Sequence, residues 1–366
     1  MNGAGPQAGE IPLPVGFGQR LIDWQRVHGR SGLPWQHTRD PYRVWLSEVM
    51  LQQTQVSTVL AYYPRFLAAF PDVSALAEAP EDEVMALWAG LGYYSRARNL
   101  HRCAQAVVQR HGGVFPRSAQ ALETLPGIGA STAAAIAAFC FGERVSIVDG
   151  NVRRVLSRLL DFDQDLAQSG GQRALWAMAQ RLLPPSPTPD DMTAYTQGLM
   201  DLGATVCLHS RPKCEPCPVQ SLCRAHAAGT VALRPVKSKT VKRRHEAWWL
   251  LLLVGQGKKT EKMHVWLTRR PSPGIWAGLY CPPVYASEST LLKAVPDGWR
   301  ERVVSQEPVA HSLTHRELRL HPLLLDIGAC HKPPMAFEGQ WVAIADLSAF
   351  GLPAPIRTMI AALSSA

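Results

Sequence analysis

Apolar residues recur with a helical period through most of the first two thirds of the chain. From about residue 17 to residue 225, such stretches alternate with short segments rich in Pro and Gly, among them Gly32–Pro34 and Leu183–Pro189. Because Pro and Gly commonly end helices, this alternation predicts many helices joined by short connections. We therefore expect an all-α region that ends near residue 228.

The pattern changes after residue 246. The continuous apolar run Ala247–Val254, a Gly-Gln-Gly-Lys-Lys turn and the segment His264-Val-Trp-Leu-Thr together predict a β-hairpin. Further strand patterns lie near 301–310, 317–326 and 339–344, and helical patterns lie near 288–295 and 353–364. Residues 247–366 are therefore expected to form a second domain of the α+β class.

A basic segment, residues 229–246, separates the two regions. It carries five Lys or Arg residues between Lys237 and Arg244 and shows no helical period. Such a segment is typical of a linker that lies across a polyanion, and a solvated connector is the alternative.

The composition of the chain predicts a folded protein, and its net charge indicates the kind of partner that it binds. The chain has 366 residues, of which 46% are hydrophobic and 18% charged, and this balance predicts a folded protein of two or three domains. Its 38 Lys and Arg exceed its 29 Asp and Glu, so the net charge is +9, which favours nucleic acid over a membrane surface. The N-terminus lacks the apolar run of a signal peptide, and no apolar run approaches the ~20 residues that span a bilayer. We expect a soluble, cytoplasmic protein that binds no membrane.

Four of the eight cysteines, at positions 207, 214, 217 and 223, lie within 17 residues. In a reducing compartment, Cys207, Cys214, Cys217 and Cys223 are suited to hold a [4Fe–4S] cluster or a tetrahedral zinc ion. Zinc ribbons usually combine two Cys-x-x-Cys pairs and only one is present, which favours iron–sulfur; unliganded thiols are the remaining alternative.

A Gly-x-Gly turn precedes an alanine-rich helical pattern. Leu125-Pro-Gly-Ile-Gly follows the helical stretch 118–124, which predicts a helix-hairpin-helix. Gly127 and Gly129 allow backbone N–H groups to approach a phosphate at the positive end of the second helix, although a tight turn without a ligand is the alternative.

Two carboxylates stand in unusual surroundings. Glu48 lies in a helix opened by Asp40 and Pro41 that has almost no polar face, so its pKa is expected to be raised, as a general acid requires. A buried basic partner for Glu48 is the structural alternative. Asp149 precedes a basic helix predicted at 152–160, with Asn151 as its N-cap. Asp149 could stabilise a developing cation, or the segment could be an ordinary turn.

Four motifs taken in order closely resemble the MutY-type adenine DNA glycosylases of the helix-hairpin-helix base-excision superfamily. They are Glu48-Val-Met-Leu-Gln-Gln-Thr, Leu87-Trp-Ala-Gly-Leu-Gly-Tyr-Tyr-Ser-Arg-Ala-Arg-Asn-Leu, Leu125-Pro-Gly-Ile-Gly, and Val148-Asp-Gly-Asn-Val with the four-cysteine loop. The resemblance covers residues 17–225 closely and the remainder more loosely. It implies a six-helix subdomain at about 36–145, an iron–sulfur subdomain from about 1–35 and 146–228, and a Nudix-like domain at 247–366.

The resemblance also implies residue roles. Glu48 would protonate adenine N7, Asp149 would stabilise the oxocarbenium-like sugar, and Asn151 would orient the acidic pair, a two-carboxylate logic shared with glycoside hydrolysis. The adenine would be flipped out of the duplex. Contacts to DNA are assigned to Gln53, Tyr93, Gly127, Gly129 and Arg153, and the walls of the adenine pocket to Trp35, Gln36 and Gln197. The expected cofactor is a [4Fe–4S] cluster, and the expected partner is double-stranded DNA with adenine opposite 8-oxoguanine or guanine, bound by a monomer associated with a bacterial-type nucleoid.

Two features qualify this assignment. Ser131 stands where lyase-type relatives carry a nucleophilic lysine, so a monofunctional glycosylase is expected. The segment after Gly278 lacks the acidic cluster of a Nudix box, which opposes pyrophosphate hydrolysis. Leu313, Thr314 and His315 resemble the family's Phe-Ser-His loop that reads 8-oxoguanine, with Leu and Thr replacing the first two residues.

Other functions stay open from sequence alone. An endonuclease III-like glycosylase/lyase for oxidised pyrimidines would need the lysine that Ser131 replaces. A non-catalytic iron–sulfur protein that senses DNA or redox state would make Glu48 and Asp149 structural residues.

Overall fold

The computed structural model describes residues 12–238, 243–257, 262–329 and 338–363. The start of the predicted iron–sulfur subdomain, the middle of the basic linker and the two lysines of the predicted hairpin turn, Lys258 and Lys259, lie outside these residues.

Helix follows helix through the N-terminal two thirds of the chain, as the periodicity predicts. The helices are α1 (Phe17–His28), α2 (Pro41–Leu51), α3 (Val56–Ala69), α4 (Val73–Glu78), α5 (Glu81–Trp88), α6 (Ser95–His111), α7 (Ala119–Leu122), α8 (Ala130–Phe141), α9 (Gly150–Leu159), α10 (Ser169–Arg181), α11 (Pro189–Asp201) and α12 (Arg224–Ala227). A π-helical turn, Leu202–Val206, continues α11.

Local capping chemistry sets several helix starts. The Asp40 side chain accepts the Tyr42 N–H and is followed by Pro41, whose fixed φ suits a first helical turn. Thr188 and Asp191 form a reciprocal capping box at α11. These are the start signals that the sequence carries.

The chain divides into two compact units, each described here by itself: residues 12–77 with 102–238, and residues 78–101 with the described residues from 243 onward. In the first unit, α8 packs against α2, α7 and α11, and α1 packs against α11. Four of the alanines at 133–138 are fully buried, and their small side chains let α8 approach its neighbours closely. The core of this unit spans α1, α8, α9, α10 and α11.

The second unit contains a mixed sheet. Its strands are β1 (Arg244–Gln256), β2 (Met263–Arg269), β3 (Tyr280–Cys281), β4 (Val284–Tyr285), β5 (Val304–Ser305), β6 (Val309–Ser312), β7 (Arg316–Ala329) and β8 (Gln340–Ala343). The central pair β1 and β7 is parallel, from Arg244 opposite Arg316 onward, and the other pairings within the described residues are antiparallel. Helices α13 (Glu288–Ala294), α14 (Asp297–Arg300) and α15 (Ala354–Ala362) complete the unit.

The predicted hairpin is confirmed, because Val254 pairs with Val265 across antiparallel β1 and β2. The strand predicted near 301–310 is wrong as one element: the chain there holds only β5 and the start of β6, after the short helix α14. Strands β3 and β4 escaped prediction because two residues carry no readable period. None of the helices in the described residues combines the length and apolar character of a bilayer-spanning segment.

Candidate active site

One cavity of about 1370 Å³ in the first unit gathers most of the predicted catalytic and pocket residues. The predicted residues on its wall are Trp35, Gln36, Glu48, Gln53, Ser131, Asp149, Asn151 and Gln197. They come from α2, α8, the start of α9, α11, the segment before α2 and, for Gln53, the turn after α2. Residues more than 160 positions apart in the sequence therefore face the same space.

Glu48 lies on α2 between the buried residues Ser47 and Val49. Two causes together raise the pKa of Glu48 to about 8: removal from water, which is the larger, and the nearby negative charge of Asp149. Because the side chain also lines the cavity, a proton held by Glu48 can be delivered to a bound ligand. The expected raised pKa is present, and desolvation is its principal cause.

Asp149 is the N-cap of α9. Its Oδ1 accepts the Val152 N–H at 2.7 Å, and α9 begins at Gly150. The predicted Asn151 cap and the predicted helix start at 152 are therefore wrong, because a carboxylate two residues earlier satisfies the free N–H groups. Burial raises the pKa of Asp149, whereas hydrogen bonds from backbone N–H groups and the charges of two arginines, Arg154 and Arg153, act against this rise.

Asn151 lies in the first turn of α9, where a nearby arginine holds it. Arg154 donates to Asn151 Oδ1 at 2.9 Å and to the carbonyl oxygens of Gly203 at 2.7 Å and Cys207 at 2.8 Å. A Cβ on Gly203 would lie 2.7 Å from the Asn151 Cβ, so a glycine is needed where the π-helical turn passes α9. The start of α9 is thus fixed against the chain that leads to the cysteine loop.

The predicted helix-hairpin-helix, formed by α7, the Gly127–Gly129 turn and α8, is present. α7 begins after the Ser118 cap, Gly127 has a φ of +75°, and Gly129 is the N-cap of α8. The Ser131 hydroxyl accepts the Val148 N–H at 3.2 Å and so ties the start of α8 to the segment before Asp149. Ser131 therefore lacks the amine of the lysine found in lyase-type relatives, and its hydroxyl makes a structural hydrogen bond instead.

Two predicted DNA contacts have strained backbones. Gln53, in the first unit, has a φ of 57°, and Tyr93, in the second unit, has a φ of 48°. Non-glycine residues rarely occupy this left-handed region, and residues that do so concentrate at functional sites. Tyr93 is also 43% exposed.

The predicted lesion-reading residues form the loop between β6 and β7. The Thr314 hydroxyl lies 3.3 Å from the Tyr93 hydroxyl, within the second unit. The Leu313 N–H donates to the Arg316 carbonyl at 2.8 Å, and the His315 carbonyl accepts the Arg244 N–H at 3.0 Å. The loop is therefore held by both central strands, and two separately predicted residues, Tyr93 and Thr314, are in contact.

The four clustered cysteines, Cys207 to Cys223, lie along one loop segment, and each is half-buried. Burial raises the pKa of Cys217 to about 11, and negative charge on the other three thiols adds to the rise. Arg158 donates to Cys207 Sγ at 3.3 Å, and backbone N–H groups donate to Cys217 and Cys223. In the described residues, no three His, Cys, Asp or Glu side chains are grouped closely enough to be recognised as a site for one metal ion.

Residues 229–238, the first described part of the basic linker, hydrogen-bond to other residues of the first unit. The Leu166 N–H donates to the Val236 carbonyl at 3.0 Å, and Thr230 donates to Asp161 at 2.6 Å. The alternative of a purely solvated connector is therefore wrong for this stretch, while the central residues of the linker lie outside the described chain.

Sequence reasoning missed two residues beside the cavity. Asp201 is fully buried and pairs with Arg30 at 2.7 Å, and it also accepts the amide N–H of Gln197 at 2.8 Å. A signal was available, because Asp201 follows Gln197 by four residues on one helix and such residues share a face.

The comparisons with known proteins agree with this geometry. Residues 46–196 match the HhH-GPD superfamily of base excision DNA repair proteins, and residues 255–362 match the NUDIX domain. A solved thermostable thymine-DNA glycosylase is 29% identical, with a TM-score of 0.51 over 58% of this chain and 95% of that chain. Fold and site together define a helix-hairpin-helix DNA glycosylase, an enzyme of base excision repair.

Matches to curated proteins show which kind of DNA glycosylase the chain resembles. The adenine DNA glycosylase of Buchnera aphidicola subsp. Baizongia pistaciae is 33% identical over 94% of this chain and 95% of its own length. The human adenine DNA glycosylase is 45% identical over 59% of this chain and 40% of its own length. The chain belongs to the adenine DNA glycosylase family.

Proposed function

We propose that the protein excises adenine mispaired with 8-oxoguanine or guanine in double-stranded DNA, by hydrolysis of the N-glycosidic bond without strand cleavage. The observation that carries this proposal is the pair Glu48 and Asp149 on the wall of one cavity. Burial raises the pKa of both carboxyls, but hydrogen bonds from backbone N–H groups and two arginine charges act against this rise for Asp149 and not for Glu48. Two carboxyl groups whose environments differ in this way suit an acid and a charge stabiliser.

The chemistry follows from these protonation states. Glu48, neutral near pH 7, donates its proton to N7 of a flipped adenine and makes the base a better leaving group. Asp149, ionised, faces the positive charge that develops on the sugar as the bond breaks. Glu48, now a carboxylate, then accepts a proton from the attacking water. Asn151, held by Arg154, keeps the start of α9 and hence Asp149 in place.

The cavity is large enough to admit a base, and adenine fits a site walled by Trp35, Gln36 and Gln197. The Gly127–Gly129 turn offers N–H groups to a phosphate, and Arg153 on α9 adds positive charge. Gln53, which lines the cavity and has a strained backbone conformation, is proposed to enter the base stack.

Monofunctional catalysis is proposed from the residue at position 131. A Schiff base with the abasic sugar requires an amine, and the Ser131 hydroxyl supplies none. Its bond to the Val148 N–H gives this residue a structural role in the same place.

Recognition of 8-oxoguanine is proposed for Leu313, Thr314 and His315 in the β6–β7 loop. Thr314 keeps the hydroxyl that the family's serine would supply and already contacts Tyr93. Leu313 offers an apolar wedge. Replacement of Thr314 by Val is expected to slow adenine excision opposite 8-oxoguanine severalfold and opposite guanine less, because the hydroxyl is lost with little change in size.

The four cysteines are proposed to hold a [4Fe–4S] cluster. The chemistry of the donor set fits, since four soft thiols lie within 17 residues of the chain and N–H groups of Arg158, Val219 and His226 donate to three of the sulfurs. When bound, the cluster supplies a redox-active centre that also cross-links the loop. Iron at about four per chain with absorption near ~400 nm is expected, whereas stoichiometric zinc in a colourless protein would overturn this proposal.

The function is tested by single-turnover excision on four labelled duplexes, with adenine opposite 8-oxoguanine, guanine or thymine, and thymine glycol opposite adenine. Each product is resolved with and without alkali. Alkali-dependent breaks only at mispaired adenine support the proposal. Alkali-independent cleavage at thymine glycol would establish a lyase instead, and binding without cleavage would establish a sensor.

Glu48→Gln supplies the matched control for this experiment. The substitution keeps the size and shape of the side chain but removes the transferable proton. We expect base excision to be lost while DNA affinity is retained. The proposal also includes a monomeric enzyme that works in the cytoplasm, where bacterial DNA lies.

A further inference from the structure

The fully buried carboxylate of Asp201 makes three contacts behind the cavity wall. Its Oδ2 accepts the Arg30 backbone N–H at 3.0 Å, and its Oδ1 accepts Arg30 Nε at 2.7 Å and Gln197 Nε2 at 2.8 Å. A Cβ on Gly29 would lie 3.0 Å from Asp201 Oδ2 and 2.4 Å from the Gln25 carbonyl oxygen, so glycine lets the chain pass close to the carboxylate. Arg30, Gln197 and the backbone at Gly29 therefore all pack directly against the Asp201 carboxylate.

These contacts determine which way the Gln197 amide faces. An ionised carboxylate only accepts hydrogen bonds, so the amide group beside Asp201 must be the NH2 and not the oxygen. Gln197 lines the cavity, and its Oε1 makes no hydrogen bond to any residue in the described part of the chain. The amide therefore offers the cavity an acceptor.

A second amide is fixed in the opposite sense. Gln36 Oε1 accepts the Leu33 backbone N–H at 3.1 Å, and a backbone N–H can only donate. Gln36 Nε2 is buried on the cavity wall and has no hydrogen-bond partner among the described residues. A buried donor without a partner is costly, so this group favours a ligand that supplies an acceptor.

We infer that Asp201 is a positioning residue that sets the base selectivity of the cavity, by holding Gln197 as an acceptor on the wall to which Gln36 contributes a donor. This inference rests on the proposed function and deepens it. Adenine has a donor at its 6-amino group and an acceptor at N1, which complements the two amides. A 6-oxopurine such as hypoxanthine reverses both, with an acceptor at O6 and a donor at N1, and so meets like groups at both positions.

The test compares excision of three bases opposite 8-oxoguanine in one duplex: adenine, hypoxanthine and unsubstituted purine. Purine carries no group at position 6 and is the reference substrate. The wild-type enzyme and the variants Asp201→Asn and Gln197→Met are assayed under single-turnover conditions. Asp23→Asn, the same change at an exposed position on α1, is the matched control and is expected to behave as wild type.

In Asp201→Asn, the side-chain amide can donate as well as accept, so Gln197 is free to turn its NH2 toward the cavity. We expect the adenine-to-hypoxanthine rate ratio to fall roughly 10- to 100-fold, which corresponds to the loss or reversal of about one buried hydrogen bond. Gln197→Met keeps the length of the side chain and leaves Asp201 and Arg30 paired. It should slow adenine by about tenfold relative to purine.

The outcomes separate the inference from the proposed function. A wild-type enzyme that does not excise adenine would overturn the function. Normal adenine excision by wild type, with all three bases slowed equally in both variants, would leave the function standing and reduce Asp201 to a structural residue. If circular dichroism shows that Asp201→Asn does not fold, an unchanged adenine-to-purine ratio in Gln197→Met refutes the inference by itself.

Discussion

The raised pKa of Glu48 makes the rate of base excision depend on pH in a defined way. At pH 7.5, a carboxyl with the ordinary value of 4.5 is protonated in roughly one molecule in a thousand. With the pKa at about 8, about three quarters of the molecules hold the proton. The raised pKa thus increases the protonated fraction of Glu48 several hundredfold at pH 7.5.

The single-turnover excision rate should therefore be nearly level from pH 6 to pH 7.5 and fall above about pH 8. The fall should approach tenfold per pH unit, because only the protonated form of Glu48 can donate. DNA affinity, measured at each pH with the inactive Glu48→Gln variant, separates weakened binding from lost chemistry. A rate that stays level to pH 9.5, or one that begins to fall near pH 5, would refute the assignment of Glu48 as the acid.

The second cause of the raised pKa can be tested apart from activity. Asp149→Asn removes the negative charge that disfavours ionisation of Glu48. We expect the pKa of Glu48 to decrease but to stay above its ordinary value, since burial is the larger cause. Carbon NMR of labelled glutamate carboxyls follows this titration, and the resonance that disappears in Glu48→Gln identifies Glu48. An unchanged titration would show that the two carboxylates do not interact.

Three further predictions concern stability and the metal site. Folded Glu48 keeps its proton at a pH where the unfolded chain loses it, so the free energy of unfolding falls as pH rises from about 4.5 to 8. The midpoint of thermal unfolding of Glu48→Gln should therefore be higher than that of wild type at pH 8, with a smaller difference near pH 5. Gly142→Ala should cost about 2–4 kcal/mol in denaturant unfolding, because its φ is +67° and the added Cβ would lie 2.6 Å from Pro189, whereas Gly112→Ala, with a φ of +61° and open space, should cost only about 1 kcal/mol. Arg158→Lys should lower the iron content, because lysine cannot reproduce the guanidinium contacts to a cluster thiol and two carbonyls of the cysteine loop; full iron occupancy would contradict this.

Much of this protein was determined by the sequence itself, because the signals are local. Capping at Asp40 and Pro41 and the glycine turn before α8 depend on neighbouring residues, and both were predicted correctly. Glu48 also stood out, since a carboxylate in an apolar helix is visible from pattern alone.

Other features were decided only by tertiary structure. Asp149 rather than Asn151 caps α9, because the choice between two capping side chains depends on which oxygen reaches the free N–H groups. Short strands such as β3 exist only because β2 lies beside them. The raised pKa of Glu48 comes from the burial of its side chain and, in smaller part, from Asp149, which is about a hundred residues away in the sequence and lines the same cavity.

The direction of the Gln197 amide is of the same kind. Asp201 is four residues away and visible in the sequence, but its burial and its pairing with Arg30 come from the packing of α1 against α11. Sequence periodicity specifies which residues share a helix face. Which polar groups lose water together, and hence which of them hold protons or keep a fixed orientation, is set by the elements that fold over that face.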